Sequence, residues 1–236
     1  MLTTLYDYLS GDADITTILI DICVLLFVTV CCFPVHESAH AWMAEKLGDS
    51  TGRLSGRISL NPAAHLDLIG TIMMFVIGIG YAKPVPVNIN NFPAKRKKLY
   101  FGLTALAGPV SNLILAIIFL VLKNVVNVIY VYTAISEALA IAAFTFFQYA
   151  AVVNISLAVF NLIPVPPLDG SRVLTAILPD RIYYKLLQYE RYSMIALFVI
   201  IFIFDRIGIS PVSILSSFVY SGLDFICTLP FGALLK

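Results

Sequence analysis

Long apolar stretches separated by short polar ones dominate this chain. A helix needs about 20 mostly apolar residues to cross a bilayer. Four stretches exceed that length: Ile15–Val35, Leu99–Leu122, Ala134–Ile163 and Ile209–Leu235, the last interrupted by Pro211 and Pro230. A fifth, Tyr192–Phe204, is short unless it is extended backward. Leu66–Tyr81 is also below that length and is rich in Gly. The pattern predicts an all-α polytopic membrane protein with about five to six transmembrane segments.

Composition agrees with this prediction. The chain has 236 residues, of which 60% are hydrophobic and only 12% are charged, whereas soluble domains carry about 25% charged residues. The formal net charge of +1 argues against nucleic acid as a partner. No repeat, low-complexity tract or Ser/Gly linker divides the chain. We therefore expect one domain over residues 1–236, with the lipid bilayer as a partner.

The distribution of basic residues predicts the orientation, because cytoplasmic loops are enriched in Lys and Arg. The first fourteen residues contain three Asp and neither Lys nor Arg, so the N-terminus is expected outside. Basic residues follow the first span, and the cluster Lys95–Lys98 precedes the Leu99 span. If both groups are cytoplasmic, Leu66–Tyr81 begins and ends on one side. This favours a re-entrant segment over a crossing, with the Ala134 span returning inward.

The stretch from Ala82 to Asn90 alternates apolar and polar residues with prolines between them. Pro is excluded from central strands, so we expect an extended edge strand or a hairpin after the first span. Two roles remain open for it. It is either a rigid loop at the membrane interface or an edge that pairs with an unfolded substrate segment by strand addition.

The residues His36-Glu37-Ser38-Ala39-His40 end the first apolar stretch. An HExxH run on a helix puts two imidazoles on one face, where both can bind one Zn²⁺, and leaves the Glu as a general base toward water. The alternative is a pair of core histidines one helical turn apart. Ionisable residues inside membrane segments are costly and usually functional. The run therefore favours a metal site.

A catalytic zinc ion usually has three protein ligands and one open position. Asp169, which follows the Ala134 stretch after several prolines, is one candidate for the third ligand. His65 and Asp67 are the other candidates, although a turn followed by a helix N-cap also explains them. The predicted topology brings Asp169 to the membrane depth of the histidines. It does not exclude His65 or Asp67, and Asp169 alone is also typical of a turn.

The combination of motifs resembles the site-2 protease family of intramembrane zinc metalloproteases, in its small bacterial branch without PDZ or CBS modules. Besides the HExxH run, it consists of Asn161-xx-Pro164-x-Pro166-xx-Asp169-Gly170. Three shorter stretches carry further similarity: Leu60–Asp67, Lys83–Asn88 and Gly108–Asn112. The resemblance extends from about Pro34 to Arg172, so the catalytic core is expected at about 15–172. Ser171 departs from the family, where a second Gly is common.

The resemblance implies that His36, His40 and Asp169 hold one Zn²⁺ per chain. It implies Glu37 as the general base toward a zinc-activated water and Asn161 as a group that holds the substrate or the developing oxyanion. From the stretches Lys83–Asn88 and Gly108–Asn112 we also predict a substrate-binding role for seven residues. They are Lys83, Pro84, Val85, Pro86, Val87, Asn88 and Asn112.

The implied activity is hydrolysis of peptide bonds within or near the transmembrane segments of membrane proteins. The active site would face the cytoplasmic side of the cell membrane. Two alternatives use the same residues: a membrane protein that binds or transports metal, and an inactive scaffold that binds membrane helices. Glu37 discriminates between them, because a transport site needs no base that is not a ligand.

Overall fold

The chain folds almost entirely into helices. The computed structural model describes residues 15–67, 69–72, 83–179, 190–206, 210–232 and 234, and no strand occurs within them. The α-helices are α1 (Ile15–Phe27), α2 (Phe33–Lys46), α3 (Thr51–Leu54), α4 (Lys97–Tyr132), α5 (Glu137–Asn161), α6 (Asp169–Thr175), α7 (Glu190–Arg206) and α8 (Pro211–Thr228). Short 3₁₀ turns cover Pro62–Ala64, Ile89–Asn91, Ala94–Arg96 and Leu229–Phe231. The all-α prediction is confirmed, whereas the edge strand or hairpin expected at Ala82–Asn90 is not found: residues 83–88 have no regular secondary structure and Ile89–Asn91 is a 3₁₀ turn.

Four continuous helical segments of the described chain are long and apolar enough to cross a membrane. They are Ile15–Lys46, Ala94–Tyr132, Glu137–Asn161 and Pro211–Phe231. The first combines α1 and α2 through a π-helical turn at Val28–Cys32. The shorter α7 coincides with the predicted stretch Tyr192–Phe204. Each long apolar stretch of the sequence therefore contains a helix, as expected of a polytopic membrane protein.

Some predicted features fall wholly or partly outside the described residues. The acidic N-terminal residues 1–14 do so entirely, and so does most of Leu66–Tyr81, of which only 66–67 and 69–72 are described. The two flanks of Leu66–Tyr81 nevertheless meet. The Lys83 N–H donates a hydrogen bond to the His65 carbonyl at 2.9 Å. This contact is what a segment that begins and ends on one side requires.

The core lies between α1, α4, α5 and α8. Its buried members are Val24, Val28, Cys32, Phe119, Leu120, Ala150, Ala151 and Cys227. Phe27 meets Phe119 and Phe146 edge to face, with ring centroids 5.7 and 5.4 Å apart. Ala116 and Ala158 are fully buried where helices meet. Small side chains at such contacts let backbones approach closely, which gains van der Waals energy that apolar burial does not supply in lipid.

Candidate metal centre

The HExxH residues lie on α2, directly after a change in helical geometry. The π-helical turn at Val28–Cys32 precedes α2, and Pro34 occupies its first turn. Pro is tolerated there because the first N–H groups of a helix have no intrahelical partner. Single π turns occur frequently at functional sites. His36 and His40 follow one turn apart, and both are buried.

Asp169 reaches the same place from the loop between α5 and α6. The loop is rich in proline, and α6 begins at Asp169. Gly170 is required by close packing, because a Cβ at this position would lie 2.2 Å from the Leu162 carbonyl oxygen and 2.6 Å from that of Ile163. The start of α6 is therefore pressed against the end of α5, which sets the position of the neighbouring carboxylate.

The structure brings His36, His40 and Asp169 together. Asp169 Oδ2 lies 3.4 Å from His36 Nε2 and 3.2 Å from His40 Nε2, and the two Nε2 atoms are 3.1 Å apart. Among the described residues this is the cluster of His, Cys, Asp and Glu side chains that could hold a metal ion. The three residues that the resemblance implies as ligands are thus brought together from two separate helices.

The hydrogen bond of His40 indicates what this cluster accommodates. His40 Nδ1 lies 2.8 Å from the Thr104 carbonyl oxygen. A carbonyl can only accept, so Nδ1 carries the hydrogen, and in the neutral ring the Nε2 lone pair faces His36 and Asp169. Imidazole nitrogens and a carboxylate oxygen that converge in this way match the donor set of a zinc site, with the Thr104 carbonyl as outer partner.

Electrostatics keeps the Asp169 carboxylate ionised. Burial alone would raise the pKa of Asp169. In the protonated form of His40, which precedes metal binding, its positive charge and the hydrogen bonds from the two imidazoles outweigh burial and hold this pKa well below its ordinary range. The residue therefore offers the anionic oxygen that a divalent cation prefers.

Helix α4 forms the wall behind the two imidazoles. A Cβ on Gly108 would lie 2.3 Å from His40 Nε2 and 2.6 Å from His36 Cε1. Only glycine leaves enough space for both rings at this point. In the sequence, Gly108 is as typical of ordinary small-residue packing between helices as of close packing beside a substrate path. Its contact with the two imidazoles was therefore not predicted.

A cavity of about 260 Å³ opens beside the cluster. Glu37 and Asn161 line it together with the three clustered residues, which are His36, His40 and Asp169. Pro84, Val85 and Val87 line it from the predicted substrate-binding segment. Arg172 and Phe101 also line it, and the guanidinium carbon lies 5.6 Å from the Phe101 ring centroid. The sequence did not predict a role for either residue, because neither belongs to one of the recognised motifs.

Other predicted site residues do not face this cavity. Lys83, Pro86, Asn88 and Asn112 are absent from its lining. Asn112 is only 1% exposed, and its Oδ1 has no hydrogen-bond partner among the described residues. The side chain of Asn88 instead accepts from the N–H of Asn90 at 3.1 Å. Their assignment to substrate binding stays a prediction.

His65 and Asp67, the alternative third ligands, lie outside the cluster. The fully buried His65 contacts the Ser59 carbonyl through Nε2 at 2.7 Å. Ser38, inside the HExxH run, donates to that same carbonyl. Asp67 Oδ1 accepts from the Gly70 N–H at 3.0 Å, which is the capping contact that the sequence also allowed. These two residues thus support the loop behind α2.

Comparison with known proteins places the chain in a family. It is 40% identical over 182 residues to the "Putative zinc metalloprotease YwhC" of Bacillus subtilis, an alignment that covers 76% of this chain and 80% of the relative. The model of peptidase family M50 matches residues 120–204, a range that contains Asn161 and Asp169. The chain belongs to this family. The expected membership of the site-2 protease family is therefore confirmed, and this M50 peptidase is a metalloprotease.

A more distant relative has the same kind of name. The "Zinc metalloprotease MJ0392" of Methanocaldococcus jannaschii is 26% identical over 203 residues, which is 85% of this chain and 48% of that protein. The chain therefore spans about half the length of this archaeal relative. No solved structure matches the chain.

Proposed function

We propose that this M50 peptidase is an intramembrane zinc endopeptidase that cleaves peptide bonds within or near the transmembrane segments of other membrane proteins. His36, His40 and Asp169 would hold one zinc ion, and Glu37 would act as the general base. The active site would lie toward the cytoplasmic side of a multi-pass protein. The alternatives that remain are metal transport and an inactive scaffold.

The observation that carries the proposal is the position of Glu37. Its side chain lines the cavity beside the cluster, yet it is not one of the three clustered residues. A carboxylate that neighbours a metal site without being a ligand is free to accept a proton. Metal transport offers no role for such a group, whereas peptide hydrolysis requires one.

The chemistry follows from the residues around the cavity. A zinc ion in this site would lower the pKa of a bound water toward ~7 and polarise the scissile carbonyl. The Glu37 carboxylate would take the proton from the attacking water and deliver it to the amine nitrogen of the departing chain. Asn161 donates one amide N–H to the Leu157 carbonyl at 2.9 Å. Its second N–H would be available to the oxygen of the tetrahedral intermediate.

The Pro84–Val87 segment supports the binding of an unwound substrate. Val85 and Val87 are its residues with an N–H, and neither N–H has a hydrogen-bond partner among the described residues. A helical substrate hides its peptide bonds, so it must become extended before cleavage. An extended substrate backbone could pair with these two donors beside the metal cluster.

Replacement of Glu37 tests the mechanism. In Glu37→Gln we expect zinc to stay bound, because no ligand is changed, while cleavage of a model transmembrane substrate falls by about 10²–10⁴-fold. Zinc content is measured by mass spectrometry and cleavage in reconstituted vesicles. Glu45→Gln is the matched control, because Glu45 lies on the same helix and pairs with Arg53 instead of facing the cavity. Cleavage retained by Glu37→Gln would refute the proposed mechanism.

A further inference from the structure

Asp49, a carboxylate just beyond the end of α2, is completely buried and does not belong to the metal cluster. Its Oδ1 accepts from the Thr51 N–H at 3.1 Å, from the Thr51 hydroxyl, and from Asn91 Nδ2 at 2.7 Å. Its Oδ2 accepts from the backbone N–H of Asn88 at 2.7 Å. Every one of these donors is neutral. A buried carboxylate without a cationic partner among the described residues needs a specific reason to be there.

A local turn explains only part of this arrangement. The contacts with Thr51, two residues away, form an ordinary Asx turn at the start of α3. The contacts with Asn88 and Asn91 span about forty residues of sequence and are not needed for such a turn. They connect the end of the HExxH helix to the end of the Pro84–Val87 segment.

That segment is fixed at both ends and open between them. At its start, the Lys83 N–H donates to the His65 carbonyl at 2.9 Å. At its end, the Asn88 N–H is held by Asp49. The N–H groups of Val85 and Val87 in between have no partner among the described residues, and both valines line the cavity. The prolines contribute no donor and restrict the backbone to extended conformations.

The hydrogen bonds of Asp49 are strong enough to hold the end of this segment in place. Burial would raise the pKa of Asp49, but the hydrogen bonds from Thr51, Asn88 and Asn91 outweigh it and lower this pKa below its ordinary value. Asp49 is therefore an anion at neutral pH. Hydrogen bonds to an ionised acceptor are about twice as strong as neutral ones.

We propose that Asp49 is a positioning residue for substrate binding: it holds the Pro84–Val87 segment against the cavity so that the N–H groups of Val85 and Val87 can pair with an extended substrate. The inference rests on the proposed function. Asp49 touches neither the cluster nor the cavity, so it acts through the segment. Its loss should weaken the binding of substrate and transition state equally, which raises KM and leaves kcat nearly unchanged.

Asp49→Asn tests the proposal. The amide has one acceptor oxygen, so it cannot serve both oxygen positions, and its NH₂ would face the donor of Asn88 or of Asn91. In the zinc-loaded protein we expect KM for a model transmembrane substrate to rise about tenfold, while kcat and zinc content change less than about threefold. Asn90→Ala is the matched control, because this residue lies in the same turn and its side chain contacts Lys97 instead of Asp49.

A binding measurement separates this proposal from the proposed function. A fluorescent substrate peptide is titrated onto the Glu37→Gln protein, with and without Asp49→Asn, and Kd should rise about tenfold in the double variant. If wild-type protein fails to cleave, the proposed function fails, while the Kd comparison still decides the role of Asp49. If wild type cleaves and Asp49→Asn lowers kcat at constant KM and Kd, the positioning role is wrong.

Asn91→Ala covers the case in which Asp49→Asn does not fold. It removes one donor to Asp49 and leaves the bond to the Asn88 N–H intact. We expect KM and Kd to rise about threefold, between the values of Asn90→Ala and Asp49→Asn. Values for Asn91→Ala equal to those of the control would overturn the proposal by themselves.

Discussion

At the scale of single residues, the imidazoles of the metal cluster are oriented by groups that have no metal chemistry of their own. The Thr104 carbonyl fixes the hydrogen of His40 on Nδ1. Gly108, one turn further along α4, provides the surface on which the rings of His36 and His40 rest. Outer partners of this kind hold ligands in the geometry that a metal requires. A single methyl group added at position 108 should therefore disrupt the site.

Gly108→Ala tests that conclusion. The new Cβ would lie 2.3 Å from His40 Nε2, so one or both rings must move out of ligand geometry. We expect zinc affinity to fall by about 10–100-fold, with a parallel loss of proteolysis. Affinity is measured by competition with a chelator. Gly222→Ala is the control, because a Cβ there meets nothing within 4 Å. Unchanged zinc affinity in Gly108→Ala would mean that α4 does not support the cluster.

The residues that the sequence identified are those whose side chains have recognisable chemistry in a motif. His36 and His40 were predicted because ionisable groups are rare in apolar stretches and because their spacing is typical of a metal site, whereas Asp169 was chosen through the resemblance to the site-2 protease family. The Thr104 carbonyl could not be found in this way, since every residue has one. Asp49 looks like an ordinary turn residue until the fold brings Asn88 and Asn91 beside it.

At the scale of elements, two helix ends create the site. The HExxH run lies on α2, and the short α6 begins with Asp169, so the carboxylate depends on the loop that joins α5 to α6. The hydrophobic pattern predicted the helices themselves. It did not predict the extent of α4, which continues to Tyr132 instead of stopping at Leu122. The apolar stretch ends at Lys123, a charged residue that in the structure lies inside the helix and pairs with Asp224 of α8.

A comparison of two aspartates tests which element supplies the third ligand. Asp169 Oδ2 lies within 3.4 Å of both Nε2 atoms, whereas Asp67 caps the turn at Gly70. We expect Asp169→Ala to lose zinc and Asp67→Ala to retain it, with metal analysis of the purified proteins as the measurement. Loss of zinc in Asp67→Ala alone would mean that Asp67, and not Asp169, is the third zinc ligand.

At the scale of the whole molecule, the arrangement of spans decides on which side the cavity opens. The Lys83 N–H donates to the His65 carbonyl, so the residues that flank the predicted re-entrant stretch Leu66–Tyr81 lie together. We therefore expect Ser55→Cys and Lys95→Cys to react with an impermeant maleimide from the cytoplasmic side. Ala134→Cys, between α4 and α5, should react only from outside. The four native cysteines are replaced first. Labelling of positions 55 and 95 from opposite sides would contradict a re-entrant segment.

A buried ion pair joins the last span to the rest of the molecule. Lys123 of α4 pairs with Asp224 of α8, and their side chains are 6% and 29% exposed. The Lys123 ammonium also lies 5.5 Å from the centroid of the Phe144 ring and 5.7 Å from that of Tyr220. Within a membrane, an ionisable residue of this kind needs a partner because water is not available to solvate it.

Removing one partner of this pair should therefore lower the free energy of unfolding more than removing both. We expect Lys123→Met alone to lower the free energy of unfolding by about 3 kcal/mol, because it leaves the Asp224 carboxylate without its cation. The double variant Lys123→Met/Asp224→Leu should recover most of that loss, because no unpaired charge remains. Glu45→Gln, which breaks the more exposed pair with Arg53, should cost less than about 1 kcal/mol. Unfolding by SDS in mixed micelles measures all three variants. Additive losses in the double variant would mean that the pair does not hold α8 against α4, and that the apolar contacts of the core alone fix the last span.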